Sequence, residues 1–373
     1  MKSCNQMITD LDTPTLLVDI DRLKKNINKM TSFAKDNNVH LRPHIKTHKS
    51  IHIAKMQLDM GATGITVAKI GEAEVMVEAG INDILIAFPI ANKTKISRVK
   101  KLINRGVSLK LAVDQIEQLR ILQQAFANDS FELEVWIKVN SGLNRCGVEP
   151  GKDVLELAKE ISMSKNVTLG GIFTHAGHSY ASKSFEEIHN IGVYEGKAIA
   201  ESAADCENIG IPVPIRSVGS TPTYQIAGKV EGVNEVRPGN AAFFDAIQVG
   251  LGVAKEEECA LTLLASVVGV YKESRLVLDT GSKSLALDKG AHGNDTVKGF
   301  GKIVGHPDIT LERLSEEHGV AIFPTRTELK LNDRVQIIPN HACTVANLFD
   351  HYVVHKNGRV MTTWPVDARG QVT

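Results

Sequence analysis

The chain has 373 residues, of which 43% are hydrophobic and 23% are charged, a composition typical of a globular protein large enough for two domains. Lys plus Arg and Asp plus Glu both number 43, so the formal net charge is zero. This balance, and the lack of any run near the roughly 18 apolar residues of a membrane span, argue against nucleic-acid and membrane partners.

The cysteines and the N-terminal segment indicate the compartment. Five cysteines are scattered along the chain, odd in number and without C-x-x-C spacing, which argues against a disulfide framework. The first 15 residues, MKSCNQMITDLDTPT, have no apolar core of the signal-peptide kind. We therefore expect a cytoplasmic protein.

From about residue 15 to about residue 250, short apolar runs alternate with longer amphipathic segments, as in repeated strand–helix units. In chain order the predicted strand segments are TLLVDI (15–20), HLRPHIK (40–46), GITVAK (64–69), DILIAF (83–88), KLAVD (110–114), ELEVWIKVN (132–140), LGGIFTHAG (169–177), PVPIRSVGS (212–220) and NEVRPGNAAFFD (234–245). About eight such units predict a (β/α)8 TIM barrel. A doubly wound sheet is the alternative, although no G-x-G-x-x-G follows the first strand.

The pattern changes after Gly252, where short β-rich runs with turn residues between them replace the helical periodicity. We therefore predict an α/β protein with a TIM barrel over residues 12–252. An antiparallel β-rich C-terminal domain is predicted to follow over residues 253–373. For residues 1–11 the sequence allows pairing with either domain.

Polar or glycine-rich clusters follow five of the predicted barrel strands, where barrel enzymes place their active sites. The first is the basic turn LRPHIKTHKS (41–50), which contains Lys46. Neighbouring cations and partial burial lower the pKa of an amine, as a Schiff-base lysine requires. The alternative is a solvated basic loop.

Two further clusters, Gly219-Ser220-Thr221 and Arg237-Pro-Gly-Asn240, are turns of small residues that would allow backbone amides and hydroxyls to approach a phosphate. Many such turns bind nothing. The location of both at the last predicted barrel strands favours the phosphate site, because barrel phosphate sites are frequent there.

His341 and Cys343, in PNHACTVANLFD, are separated by one residue, so on an extended segment their side chains would share a face. An imidazole and a thiolate there would form half of a zinc-type site, with water or substrate in the other positions. A buried cysteine beside a hydrogen-bonded histidine is the alternative. His175 and His178 in THAGHSY would be metal ligands or would flank an aromatic cofactor.

Taken in order, these segments resemble the D-threonine aldolase / D-serine dehydratase family, fold-type III pyridoxal-phosphate enzymes related to alanine racemase that carry a metal site in the β domain. The resemblance covers nearly the whole chain. The motifs are DTPTLLVD, LRPHIKTHK, NRCGV, THAGHSY, VGSTPT, EVRPGN, LDTGSKSLALD, EEHG and PNHAC.

The resemblance implies catalytic roles for Lys46, His175 and Tyr180. Lys46 would hold pyridoxal 5'-phosphate through a Schiff base, with His175 beside the ring and Tyr180 near the substrate. Arg145 would lie near the phenolic oxygen of the cofactor. Arg237 would face the pyridine nitrogen, and because a guanidinium cannot accept a proton, that nitrogen would stay unprotonated.

The resemblance also implies the other ligands and the reaction. The cofactor phosphate would be bound by Gly219, Ser220, Thr221, Gly239 and Asn240. His341 and Cys343 would bind a divalent metal, with zinc expected before manganese or magnesium. The reaction implied is cleavage of a D-3-hydroxy-α-amino acid to glycine and an aldehyde. The alternative is dehydratase-type β-elimination to a 2-oxo acid and ammonia, and a homodimer is expected by analogy.

Two features depart from the family pattern. Ala241 occupies a position where relatives often have Tyr, so one polar contact near the cofactor would be missing or supplied elsewhere. The His-x-Cys pair is of the dehydratase type, where some aldolases have His-x-Asp, whereas the flanking TVANLFD is closer to aldolases. Amino-acid racemisation, which needs no metal, is another hypothesis. A non-catalytic pyridoxal-phosphate carrier is a further one, but such carriers lack a β domain.

Overall fold

The computed structural model describes residues 6–272, 274–289 and 296–373. Within these residues the chain forms an eight-stranded parallel sheet and a nine-stranded, mainly antiparallel sheet. The strands are β1 (Thr15–Asp19), β2 (His40–Leu41), β3 (Ile65–Val67), β4 (Asp83–Ile86), β5 (Ser108–Val113), β6 (Leu133–Val139), β7 (Val167–Thr174), β8 (Ile215–Val218), β9 (Glu235–Val236), β10 (Leu261–Tyr271), β11 (Arg275–Leu278), β12 (Lys302–Ile303), β13 (Thr310–Leu314), β14 (Gly319–Ile322), β15 (Arg334–Ile338), β16 (His351–Lys356) and β17 (Arg359–Pro365).

The helices lie mostly between the barrel strands. They are α1 (Ile20–Asp36), α2 (Ile51–Asp59), α3 (Ile70–Glu78), α4 (Lys93–Asn104), α5 (Ile116–Phe126), α6 (Lys152–Ser162), α7 (Phe185–Asn208), α8 (Tyr224–Ala227), α9 (Ala246–Gly250), α10 (Ser282–Leu285) and α11 (Ala342–Ala346). Local sequence explains several starts; the Asp19 carboxylate, for example, accepts the amides of Asp21 and Arg22 and so caps α1. None of the described helices is long and apolar enough to cross a membrane.

The parallel sheet is a barrel with the strand order β2-β9-β8-β7-β6-β5-β4-β3. Its edge strands meet, because the amides of Thr63 and Thr66 donate to the carbonyls of Leu41 and Pro43, each at 2.9 Å. The second sheet consists of β1 and the strands that follow the barrel in the chain, and it is antiparallel except where β1 runs parallel to β16. The predicted TIM barrel followed by an antiparallel β-rich domain is confirmed.

The first strand differs from the prediction. We expected residues 15–20 to open the barrel, but β1 lies in the second sheet, with Leu17 opposite Thr262 of β10 and Val353 of β16. The central residues of β1, Leu16, Leu17 and Val18, are buried and apolar, and α1 follows directly, so the local pattern is that of a barrel unit. Only long-range pairing distinguishes the two sheets. Farther toward the N-terminus, the Ile8 amide donates to the Gly358 carbonyl, which lies in the turn between β16 and β17 of the same sheet.

The second domain is held against the barrel beside the basic turn. The Tyr352 hydroxyl donates to the His48 carbonyl at 2.6 Å, and the Ile51 amide donates to the Asp367 carboxylate at 2.7 Å. The Ala368 amide donates to the carbonyl of the neighbouring Lys49. The helix α11 lies beside the same turn, where the Cys343 Sγ is 3.2 Å from the Thr47 hydroxyl oxygen.

Candidate active site

A cavity of about 680 Å³ opens at the rim where the barrel meets the second domain. The predicted site residues that line it are Lys46, Arg145, His175, Tyr180, Ser220, Thr221, Arg237, Gly239, Asn240, His341 and Cys343. Gly219 directly precedes Ser220 in the chain, and its carbonyl accepts a hydrogen bond from His175. The structure therefore brings the predicted residues together, while their individual roles stay predictions.

Lys46 lies in a one-turn 3-10 helix just beyond β2 (Ile45–Thr47). Burial is the largest cause that lowers the pKa of its ammonium below the ordinary value. The nearby cations Arg145 and Lys138 act in the same direction, whereas Cys343 opposes them. A larger fraction of neutral amine results, and a neutral amine is the form that attacks a carbonyl.

The cations adjacent in sequence do not supply this environment. Arg42 donates from Nε to the Glu235 carboxylate at 2.9 Å, inside the barrel. The ammonium of Lys49 lies 3.3 Å from the Glu72 carboxylate, and the His48 ring is fully buried. The basic turn is thus largely structural, because its side chains point to different partners in the barrel wall. The cations that act on the reactive amine are Lys138, on β6, and Arg145, in the loop that follows it.

The two glycine turns, residues 219–221 and 237–240, pack against each other and are called the phosphate turns below. A Cβ on Gly219 would lie 3.0 Å from the backbone N and C of Arg237, and one on Gly239 would lie 2.9 Å from the His44 carbonyl oxygen. The buried Thr221 hydroxyl accepts the Ala241 amide at 3.1 Å. Tightly packed turns with hydroxyls fit a phosphate group, since backbone can approach it closely.

His175 and Arg237 are both fixed by neighbouring oxygens. The Nδ1 atom of His175 lies 2.7 Å from the Gly219 carbonyl oxygen and so carries the ring proton. Burial, reinforced by Lys46, lowers the pKa of His175 well below its usual value, so the ring is neutral.

Arg237 donates from Nε to the Ser217 hydroxyl at 2.8 Å and also bonds to the Thr174 carbonyl. Burial lowers the pKa of Arg237 to about 10, which leaves it charged near neutral pH. A fixed guanidinium in this cavity fits a ring nitrogen that stays unprotonated.

The pair His341 and Cys343, called the metal pair below, lies at the start of a helix. We expected an extended segment, but His341 occupies the N-cap position of α11 and Cys343 lies in the first turn of this helix. The side chains still meet, because they hydrogen-bond to each other. The first turn of a helix therefore replaces the alternation of a strand as the reason for their proximity.

The electrostatics of the metal pair favour a thiolate. Burial of Cys343 opposes ionisation, but His341 and Lys46 outweigh it and lower the pKa of the thiol. Burial likewise opposes charge on His341, yet Cys343 and Asp288 raise the pKa of the imidazole well above its ordinary value. A divalent cation would take the place of the imidazole proton.

The donor set fits an open metal site. The described residues contain no group of three or more His, Cys, Asp or Glu side chains that could hold a metal ion. The metal pair would therefore leave coordination positions for water or substrate, as catalytic sites do. The His341 Nδ1 lies 3.3 Å from the Asp288 carboxylate, the arrangement that commonly orients a histidine ligand.

Several groups at the site were not predicted from the sequence. They are His44, Lys138, Glu195, Asp245 and Asp288. Asp245 joins two parts of the site, since its Oδ2 accepts both the Asn240 amide group at 2.5 Å and the Ala342 backbone amide at 3.0 Å. A charged residue inside an apolar strand was a usable signal for Lys138, in ELEVWIKVN.

Two protein-family models match the chain. The alanine racemase N-terminal domain matches residues 18–246, and the putative serine dehydratase domain matches residues 260–355. D-threo-3-hydroxyaspartate dehydratase of Delftia sp. (strain HT23) is 34% identical over 369 residues, covering 95% of this chain and 97% of that protein. 3-hydroxy-D-aspartate aldolase of Paracoccus denitrificans (strain Pd 1222) is 31% identical over 372 residues, covering 97% and 93%.

Solved structures agree with these relationships. D-threonine aldolase from Filomicrobium marinum superposes with a TM-score of 0.90 at 31% identity and covers 98% of each chain. A metal-free cysteine-to-alanine variant of D-threo-3-hydroxyaspartate dehydratase superposes with a TM-score of 0.91 at 31% identity, covering 96% of this chain and 98% of that one. Another variant of that enzyme replaces a histidine two positions before the cysteine, the spacing of the metal pair.

Proposed function

The chain belongs to the D-threonine aldolase / D-serine dehydratase family and is a lyase, and we propose that it cleaves a D-3-hydroxy-α-amino acid to glycine and an aldehyde. One observation carries this proposal: Lys46 and the metal pair line the same cavity. An amino acid held at Lys46 would present its 3-hydroxyl within reach of a cation on the metal pair.

The proposed cofactors are pyridoxal phosphate and a divalent cation, with zinc as the first candidate because the metal pair offers nitrogen and sulfur. Pyridoxal phosphate supplies an electron sink for the bond broken at the α-carbon, and the cation supplies Lewis-acid activation of the 3-hydroxyl. Arg237 would keep its proton and so hold the ring nitrogen in the unprotonated form, which weakens that sink. Such a site gains from the cation.

The remaining residues bind and orient. Ser220, Thr221 and the backbone of the phosphate turns would hold the phosphate. Tyr180 hydrogen-bonds Thr221, and burial raises the pKa of its phenol, so it stays neutral and orients that hydroxyl. His175 is neutral and held by the Gly219 carbonyl, which suits a group lying beside an aromatic ring.

A β-elimination to a 2-oxo acid and ammonia is the second candidate. The histidine and cysteine replaced in the solved dehydratase variants have the spacing of the metal pair, which favours this reaction. The neutral fraction of Lys46 would then take the α-proton, and the cation would assist the departing hydroxide.

The products distinguish the two reactions. Incubation with D-threonine should yield glycine and acetaldehyde for the cleavage, and 2-oxobutyrate and ammonia for the elimination. D-3-hydroxyaspartate serves as a second substrate, and Lys46→Ala serves as the negative control. Activity unchanged after dialysis against a chelator, with verified metal removal, would contradict the role of the cation.

We also propose a cytoplasmic homodimer. The support for the compartment is that Cys146, Cys206, Cys259 and Cys343, the cysteines in the described residues, are all free. The dimer rests on analogy with the family, and sedimentation of the purified protein would test it.

A further inference from the structure

Glu195 lies on α7, behind the phosphate turns, and is completely buried. Its Oε1 atom accepts the backbone amides of Ala176 and Gly219, both at 3.1 Å. Its Oε2 atom lies 2.5 Å from the Thr223 hydroxyl. A buried carboxyl group therefore ties the segment after β7 to the first phosphate turn.

The contact with Thr223 is the start of a chain of hydroxyls. Thr223 Oγ1 lies 2.8 Å from Ser220 Oγ, which lies 3.1 Å from Ser179 Oγ. Ser179 donates its own proton to the Ala176 carbonyl at 2.7 Å. Each hydroxyl has one proton to donate, so the protonation state of Glu195 affects which hydroxyl donates and which accepts in each of these hydrogen bonds.

An ionised Glu195 accepts only. Thr223 must then donate to Glu195, and Ser220 is drawn to donate to Thr223, which leaves Ser220 without a proton for a phosphate. A protonated Glu195 donates from Oε2 to Thr223, and Thr223 donates to Ser220. The Ser220 proton is then released from Thr223 and can go either to Ser179 Oγ or to a bound phosphate. The two backbone amides at Oε1 are satisfied in both cases.

The surroundings of Glu195 bring in one opposing charge. Burial is the largest influence and raises the pKa of Glu195; the hydrogen bonds from Thr223 and from the Gly219 and Ala176 amides, and the charge of Arg237, which follows β9, favour the ionised carboxylate but are outweighed. His175, which follows β7, is neutral, and the contacts from the segment after β8 are amides and hydroxyls. A phosphate group bound at the neighbouring turn would add negative charge and favour protonation further.

We propose that Glu195 is a positioning residue: its protonated carboxyl group turns the Thr223 hydroxyl toward Ser220 and so frees the Ser220 hydroxyl to face the cofactor phosphate, which links phosphate binding to proton uptake by Glu195. This inference rests on the proposed cofactor site. As the pH rises through the pKa of Glu195, the hydroxyl chain reverses and a second negative charge faces the phosphate. Affinity for the phosphate ester therefore falls.

The test uses Glu195→Gln, which fits the same contacts. The amide oxygen can accept the two backbone amides, and the amide NH2 donates permanently to Thr223. The probe is pyridoxine 5'-phosphate, which has no aldehyde and so does not react with Lys46. Isothermal titration calorimetry from pH 6 to pH 9, in pairs of buffers with different ionisation enthalpies, measures both the affinity and the number of protons taken up.

We expect the affinity of the wild type to fall about tenfold more than that of Glu195→Gln across this range, the size of one hydrogen bond to a charged group. On binding each ligand, the wild type should also take up as much as about one proton more than Glu195→Gln does. Titration of the phosphate itself is common to both proteins and cancels. Glu201→Gln, an exposed change on the same helix, should behave as the wild type.

Equal proton uptake and equal pH dependence in the wild type and Glu195→Gln would overturn the inference, as would a well-folded variant that binds the probe poorly at every pH. Proton counting on the wild type alone is a second measurement. If the wild type takes up no more protons than titration of the probe's phosphate accounts for, the inference is contradicted without any variant. A Lys46-dependent visible chromophore without linkage between phosphate binding and proton uptake would overturn this inference and leave the proposed function intact. A protein that binds neither pyridoxal phosphate nor the probe overturns the proposed function as well.

Discussion

Among the described residues, the barrel lines the cavity with side chains from the ends of many strands, whereas the second domain lines it with His341 and Cys343 alone. The barrel groups are held by hydrogen bonds to neighbouring segments of the barrel, such as those from Arg237 to Ser217 and from His175 to Gly219. The metal pair depends on one helical turn of five residues and on a few contacts such as Asp288. We infer that cofactor binding tolerates loss of a single contact better than metal binding does.

The comparison also separates two tasks. The barrel can hold the cofactor through distributed contacts, while the second domain adds the cation that would act on the 3-hydroxyl. Asp245 is the direct link, because it bonds to the second phosphate turn and to the α11 backbone. Changes in the two regions should therefore have separable effects on chromophore and metal content.

The largest expected effect is that of Lys46→Ala. Loss of the amine should remove the visible chromophore and reduce turnover about 10⁴-fold or more, because this group is the attachment point of the cofactor and, in the elimination, also the base. Absorbance spectra and product assays measure the two effects, and Lys55→Ala, an exposed change on α2, is the control. A persistent chromophore in Lys46→Ala would show that another amine holds the cofactor.

The next largest effect is expected for the metal pair. Cys343→Ala and His341→Ala should each weaken metal binding about 100-fold or more, since each removes half of the protein ligands. The chromophore should persist, because the phosphate turns and Lys46 are untouched. Metal analysis after dialysis, beside the visible spectrum, measures both. Simultaneous loss of metal and chromophore would contradict the separation of the two regions.

A smaller effect, on stability, is expected where the second domain contacts the barrel beside His48. Burial lowers the pKa of the His48 imidazole from 6.5 to about 4. The unfolded chain then binds a proton below pH 6.5 that the folded chain excludes, so the free energy of unfolding falls as the pH drops from 6.5 toward 4. Between pH 7 and pH 5 this group should contribute a loss of about 2 kcal/mol.

Urea unfolding at the two pH values measures this loss. His48→Asn, which cannot be protonated, should lose about 2 kcal/mol less than the wild type over the same interval. His40→Gln, a change at an exposed position, is the matched control and should follow the wild type. An equal loss in wild type and His48→Asn would mean that the pKa of His48 is not lowered in the folded state.

Much of the fold and of the site was predictable from local signals. Alternating strands and helices predicted the barrel, and small residues after strands predicted turns such as Gly219-Ser220-Thr221. His341 and Cys343 were found from their spacing, although the reason given, an extended segment, was wrong, because the helix α11 begins there. The histidine and cysteine project together from either structure.

The remaining features depend on contacts between distant parts of the chain. The prediction that β1 opens the barrel was wrong, because an apolar strand followed by a helix gives the same pattern in either sheet. Glu195 and Asp245 could not be recognised, because each acts through backbone groups that no sequence pattern marks.

By itself, the sequence determined the strand–helix rhythm, the turn chemistry and the family, because these depend on neighbouring residues and on ordered motifs. Tertiary structure alone decided which sheet receives β1, which cations act on Lys46 and how the metal pair meets the barrel. Strand pairing, burial and Coulomb interactions act through space, and the separation of two residues in the chain does not determine the distance between them in the folded protein.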